Sequence, residues 1–167
     1  EDNIEKFTDF LKNIDDNSII ISTGAVSAGK WDFIPKALEI AGANIHFHKV
    51  NIRPGKPIIF ATLKNGSLFF GLPGNPISSA IGFEFFVKHA LQNMFVIPKR
   101  QHFKAKLENA FSKKFKGTQF FKAITNYKDE TFQTQILDGQ ESFKIQPFAH
   151  ANSWVIIDAE KFEISSG

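Results

Sequence analysis

The sequence contains no cysteine, a single methionine at position 94 and a single tyrosine. Without thiols there is no disulfide scaffold, no cysteine nucleophile and no thiolate metal site. No apolar run approaches the roughly 18 residues that a membrane-crossing helix needs. The most apolar stretch, 79–98, is broken by Glu84, Lys88, His89 and Gln92, so no membrane association is expected. Neither a Walker P-loop nor a dinucleotide-type glycine fingerprint occurs, and there is no internal repeat or low-complexity tract. The lack of a signal-type hydrophobic segment and of cysteine points to the cytoplasm. The chain opens at Glu1 and its only methionine is Met94, so it reads as a piece of a longer polypeptide.

What is present suits a folded protein. The 167 residues are 43% hydrophobic and 22% charged, close to the globular average and enough for one medium domain or two small ones. Twenty phenylalanines are assigned to core packing. The net charge of +3 is uneven: residues 98–167 carry eleven Lys/Arg against eight Asp/Glu, while residues 1–97 balance at nine each. Lys99, Arg100, Lys104, Lys106, Lys113, Lys114 and Lys116, opposed only by Glu108, could form a nucleic-acid footprint. Phe103, Ala105 and Leu107 alternate with His102, Lys104 and Lys106, which favours a half-buried strand with a basic outer side. No nucleic-acid partner is expected.

The first part alternates helix and strand. Ile4, Phe7, Leu11 and Ile14 recur at helical spacing behind an Asp2/Glu5 capping pair. The run Ile19-Ile20-Ile21 within 18–23 predicts a strand covered on both faces in a parallel sheet. Asp32 is a candidate cap for a helix containing Ile34, Ala37, Leu38 and Ala41, which Gly42 stops. Strands are predicted over 44–50 and 57–63, the latter turning at Asn65-Gly66, and a long helix from Pro76 to about residue 95. His46 and His48 could share a metal, but no third ligand lies nearby and an outward-facing pair is the simpler reading. Beyond Pro98 the pattern changes. Runs near 101–107, 118–127, 131–137, 142–146 and 152–158, rich in Phe, Thr, Ile and Val, predict a small all-β barrel or sandwich. The expected partition is therefore 1–97 and 98–167.

Three segments of the first part have the composition of a site. Thr23-Gly24-Ala25-Val26-Ser27-Ala28-Gly29-Lys30-Trp31-Asp32 joins the carboxyl end of a buried strand to a helix, the place where open α/β sheets bind ligands. Asp32 offers a carboxylate for a metal or an attacking group, or serves only as a cap. Lys49 and Arg53-Pro54-Gly55-Lys56-Pro57 set three cations within eight positions of a proline-stiffened loop, suited to an oxyanion or phosphate. Gly71-Leu72-Pro73-Gly74-Asn75-Pro76-Ile77-Ser78-Ser79 leads into the long helix, with Asn75 as cap and Pro76 in the first turn. The amides of Ile77 and Ser78 would then face an anion at the positive end of the helix dipole.

In order and spacing these three segments resemble the molybdopterin molybdenumtransferase family, which includes bacterial MoeA and the E domain of gephyrin. The resemblance covers nearly the whole chain, as the later part of that protein type. It implies a three-layer α/β domain of the MogA-like, molybdopterin-binding kind, lacking its N-terminal portion, followed by the β domain. It implies an enzyme that transfers molybdenum from molybdate to adenylylated molybdopterin (molybdopterin-AMP) with release of AMP, requires Mg²⁺ and forms a homodimer. The chain alone is expected to be incomplete as that enzyme. By the resemblance, Lys56 and Ser78 serve molybdate, and Lys49 and Arg53 the substrate's phosphates. Thr23, Gly24 and Ser27 would contact pterin or phosphate, Asp32 would handle metal or nucleotide, and Pro73 and Asn75 would shape the pocket. Lys122 stands where the family's Asp-Phe-x-Arg reads Gln119-Phe120-Phe121-Lys122, a point charge in place of a forked guanidinium. The alternative function is a peptide-binding scaffold of gephyrin type that uses the groove between the two domains.

Overall fold

A computed structural model of the chain describes residues 3–24, 33–98 and 101–167. The chain divides into two compact units, one formed by 1–50 with 55–87 and the other by 51–54 with 88–167. By contacts, then, the boundary falls at Val87/Lys88, earlier than the change of sequence pattern at 97/98, and the short stretch Asn51–Pro54 joins the second unit.

In the first unit a four-stranded mixed sheet has the order β1-β5-β4-β2, from β1 (Ile19–Thr23), β2 (Asn44–His48), β4 (Ile59–Thr62) and β5 (Leu68–Leu72). Only β1 and β5 are parallel; β4 runs antiparallel to both β5 and β2. Helices α1 (Ile4–Asn13) and α2 (Ile34–Ile40) cover one face, joining Leu11, Ile34, Ala37 and Leu38 to Ile20, Ile59, Ala61 and Phe69 in one core. Asn3, rather than Asp2, caps α1: its side-chain oxygen accepts from the amides of Glu5 and Lys6 at 2.9 and 3.0 Å. Asp2 lies outside the described residues. Helix α3 (Pro76–Gly82) and the π-helical segment Phe83–Val87 lie on the opposite face. Phe86 meets Phe47 there, and Gly82 comes so close that a Cβ would sit 2.7 Å from Leu72 Cδ2. Helix, sheet and helix make three layers.

Two expectations differ from the structure here, for separate reasons. Among the described residues the isoleucine run of β1 is covered on one face: Ile20 is buried against α1 and α2, whereas Ile21, on the other face, is 42% exposed. Nor are His46 and His48 an outward pair. The β2–β4 register shifts between Ile45 and Phe47, a bulge that sends His46 to the side of Phe60 and Thr62 while His48 pairs with Ile59 on the α1/α2 side. His46 stacks on Phe60 at 4.9 Å and reaches the Thr62 hydroxyl at 2.8 Å. The His48 Nε2 is buried without a hydrogen-bond partner. The two rings therefore face opposite sides of the sheet and cannot share a metal.

The second unit is strand-rich. Its main sheet follows β10-β8-β9-β6, with β3 (Ile52–Arg53) added parallel to β8. The strands are β6 (Lys106–Leu107), β8 (Thr118–Lys128), β9 (Thr131–Ile136) and β10 (Ser153–Ile157). A second, two-stranded sheet pairs β7 (Phe111–Ser112) with β11 (Glu163–Ile164). Asp129 and Glu130 both take positive φ, 49° and 59°, the geometry that lets a two-residue turn join β8 to β9. Phe120, Phe121, Ala123 and Ile157 form the core, with Phe111 edge-on to Phe121 at 4.8 Å. Helix α4 (Lys88–Met94) opens this unit, and the expected strand at 142–146 is instead a turn leading into α5 (Gln146–His150). The expected strand over 101–107 shrinks to two residues. Phe103 is 67% exposed and rests on Phe132 at 5.1 Å, so the alternation there does not mark a buried face.

Candidate active site

One end of the first unit's sheet gathers the three predicted segments. Thr23 pairs with Leu72, Ile59 with Gly71, and His48 with Ile59, so the carboxyl ends of β1, β5 and β2 meet the amino end of β4. The chain leaving or entering each strand is then tied to its neighbour. Gly24 N donates to Leu72 O at 2.9 Å, Lys49 N to Ile58 O at 2.8 Å, and Val50 N to Lys56 O at 2.9 Å. Thr23, Gly24, Lys49, Lys56, Pro73 and Asn75 thus share one sheet edge, where α/β folds hold their ligands.

The side chains at that edge divide by exposure. Thr23, Lys49, Lys56 and Asn75 are exposed, whereas Pro73 and Ser78 are buried. Lys49 takes a left-handed backbone, φ 71°, which costs a non-glycine residue roughly 1–2 kcal/mol; such strain is concentrated at functional sites. Gly24 has φ 86° and faces Gly74 closely, a Cβ on Gly74 falling 3.5 Å from Gly24 Cα. Asn75 occupies the N-cap of α3 with extended geometry but makes no side-chain capping bond. Separately, the Ser79 hydroxyl donates back to Pro73 O. Two exposed ammonium groups, hydroxyls and uncapped amides compose an edge that can hold a small oxyanion.

The other predicted residues are placed differently. Ser27 and Asp32 lie outside the described residues. Arg53 and Lys122 belong to the second unit. Arg53 is exposed and pairs with Gln119 through β3 and β8. Lys122 is fully buried, with its ammonium donating to the carbonyls of Gly139 at 2.6 Å, Lys144 at 3.1 Å and Glu141 at 3.3 Å. Three acceptors use its three protons, so Lys122 holds its own chain together and does not stand open to a ligand. Gln140 completes this latch by clamping the Lys122 backbone, amide and carbonyl, at 2.9 Å each. Burial pushes the Lys122 ammonium below the usual lysine range, opposed by the charge of Glu141. The Glu141 carboxyl is held low, chiefly by its hydrogen bond from Lys144, whose ammonium lies 2.9 Å away.

Lys113 repeats the pattern and went unrecognised in the basic cluster. It is buried, donates to the carbonyls of Gly117, Phe115 and Ala159 at 2.6, 3.1 and 3.3 Å, and lies 5.1 Å from the Phe162 ring centroid. For Lys122 a signal was available, since it interrupts the apolar run Phe120-Phe121-Lys122-Ala123-Ile124. Among the described residues no group of three or more His, Asp or Glu side chains could hold a metal ion. Nor is any helix among them long and apolar enough to cross a membrane.

Comparison with known proteins gives this edge its context. The family described as "Probable molybdopterin binding domain" matches residues 1–93. The chain is 33% identical over 149 residues to the molybdopterin molybdenumtransferase of Bacillus subtilis, covering 88% of this chain and 34% of that protein. It is 49% identical over 74 residues to that of Synechococcus elongatus, covering 44% of this chain and 18% of that protein. It thus spans about a third or less of the length of these curated relatives. Two crystal structures of the molybdopterin biosynthesis MoeA protein from Pyrococcus horikoshii share its fold. They have TM-scores of 0.68 and 0.71 at 21% and 24% identity, covering 98% and 99% of this chain and 37% and 39% of theirs. With the family matched across more than half of its residues, the chain belongs to the molybdopterin-binding domain family, and its relatives there are molybdopterin molybdenumtransferases.

Proposed function

We propose that the chain is part of a molybdopterin molybdenumtransferase, acting in molybdenum cofactor biosynthesis, and that its sheet edge is the oxyanion-holding side of the site. The supporting observation is the convergence of Gly24, Lys49 and Lys56 through the three backbone bonds that tie strand ends together, with Pro73 following Leu72 at the same edge. The reaction brings together molybdate, a dianion, and molybdopterin-AMP, and releases AMP. Each is an oxyanion, which accounts for cations and free amides without a nucleophile. In this reading Lys56 and the first turn of α3, including Ser78, bind molybdate. Lys49 and Arg53 neutralise the substrate's phosphates, while Thr23, Gly24 and Ser27 contact pterin or phosphate. Pro73 and Asn75 shape the wall.

The Mg²⁺ requirement, homodimer and cytoplasmic location implied by the resemblance belong to the same proposal. For Mg²⁺ the described edge does not supply a fitting donor set, because it carries ammonium groups and hydroxyls rather than carboxylates. Asp32 is the proposed acidic partner, and no step is routed through the metal. Lys122 is left out of the proposed ligand contacts.

A second reading, a peptide-binding interaction module, draws on the exposed Phe95, Val96, Ile97 and Phe103. Molybdate titration separates the two. The oxyanion reading predicts saturable binding that phosphate competes and added salt weakens; absence of any binding that Lys56→Ala reduces would remove it and favour the module.

A further inference from the structure

Ser79 closes the third sequence motif, yet the oxyanion reading gives it no role. Its hydroxyl donates to the carbonyl of Pro73, reaching back across the turn that separates β5 from α3, while its amide donates to Asn75 O at 2.9 Å. Pro73 is buried, so its carbonyl requires a donor. Asn75, at the N-cap position, makes no side-chain capping bond, so the Ser79 hydroxyl is the described side-chain contact that ties this turn to the helix. The same run of backbone is fixed from the other side by Gly24 N donating to Leu72 O at 2.9 Å and by the close approach of Gly74 to Gly24.

We propose that Ser79 is a positioning residue: its hold on the Pro73 carbonyl keeps the Pro73–Gly74–Asn75 turn against Gly24 and leaves the Asn75 side chain free for a ligand. This rests on the oxyanion reading for its functional meaning, and on the turn geometry alone for its structural meaning. Ser79 is half-buried behind the turn, so it acts through Pro73 rather than on the anion.

The experiment compares Ser79→Ala and Ser79→Thr with the parent chain by molybdate affinity and by amide hydrogen exchange at Gly24, well below the melting temperature. Loss of one neutral hydrogen bond predicts molybdate affinity about fivefold weaker in Ser79→Ala. Gly24 exchange should quicken in step, and the hydroxyl of Ser79→Thr should restore both. Unchanged Gly24 exchange in Ser79→Ala, or no recovery in Ser79→Thr, overturns the proposal. If the parent binds no molybdate, the oxyanion reading falls, while Gly24 exchange still decides whether Ser79 positions the turn.

Discussion

On the proposed reading, replacing Lys56 by alanine in the full-length protein should lower molybdenum insertion by roughly 10²–10³-fold, the loss typical of removing one preorganised charge partner from a transferring oxyanion. The variant should fold. Lys56 is exposed, and its link to the sheet runs through its carbonyl, which accepts from Val50 N at 2.9 Å; alanine keeps that carbonyl. The loss therefore belongs to chemistry and binding rather than to stability. Cofactor formation assayed alongside urea unfolding separates these. Unchanged insertion with an unchanged midpoint would remove Lys56 from the site.

The second large effect falls on stability and concerns Lys122. Lys122→Met keeps the apolar stem but leaves the carbonyls of Gly139, Glu141 and Lys144 without their donor, a loss of about 1–3 kcal/mol, the cost of buried acceptors left unsatisfied. Urea unfolding monitored at Trp154, which pairs with Lys122 across β10 and β8, reads it directly. A change below about 1 kcal/mol would place Lys122 among ordinary surface substitutions and reopen its role as a ligand contact.

The pH dependence has a definite sign. Since the folded Lys122 gives up its proton below the ordinary value of 10.5, the unfolded chain binds more protons in that window. Stability contributed through this group therefore rises with pH between the folded value and 10.5. Lys122→Met abolishes that rise. Glu141, held below its ordinary 4.5, contributes stability above that value that is lost as pH falls through the folded one.

These two lysines mark where the sequence was and was not informative. Lys56 was legible because prolines on both sides declare a stiff loop, and the register of β4 against β5 then carries it to the edge shared with Thr23 and Pro73. Lys122 entered the site through its place in the family's Asp-Phe-x-Arg pattern, while its partners in the structure are carbonyls farther along the chain, in a loop that no local pattern announces. That loop also explains why 142–146 is not a strand: three of its neighbouring carbonyls point at one ammonium instead of a ladder. His46 and His48 were indistinguishable by alternation because a bulge changes the face of one without changing the sequence pattern. The apolar run of β1 suggested a strand buried on both sides, whereas among the described residues Ile20 is covered and Ile21 is not, because what covers each face comes from distant elements. Hydrophobic period and turn residues thus identified α1, α2, the helical stretch beginning at Pro76 and most long strands, but not α5. Covered faces, bulges and buried cations depend on contacts between distant residues.

The most direct test is where molybdate goes. Crystals of the protein soaked in molybdate should give an anomalous-scattering peak bounded by the Lys56 ammonium and the backbone amides of Ile77 and Ser78. A well-occupied peak elsewhere, with that sheet edge left to water, would contradict the account.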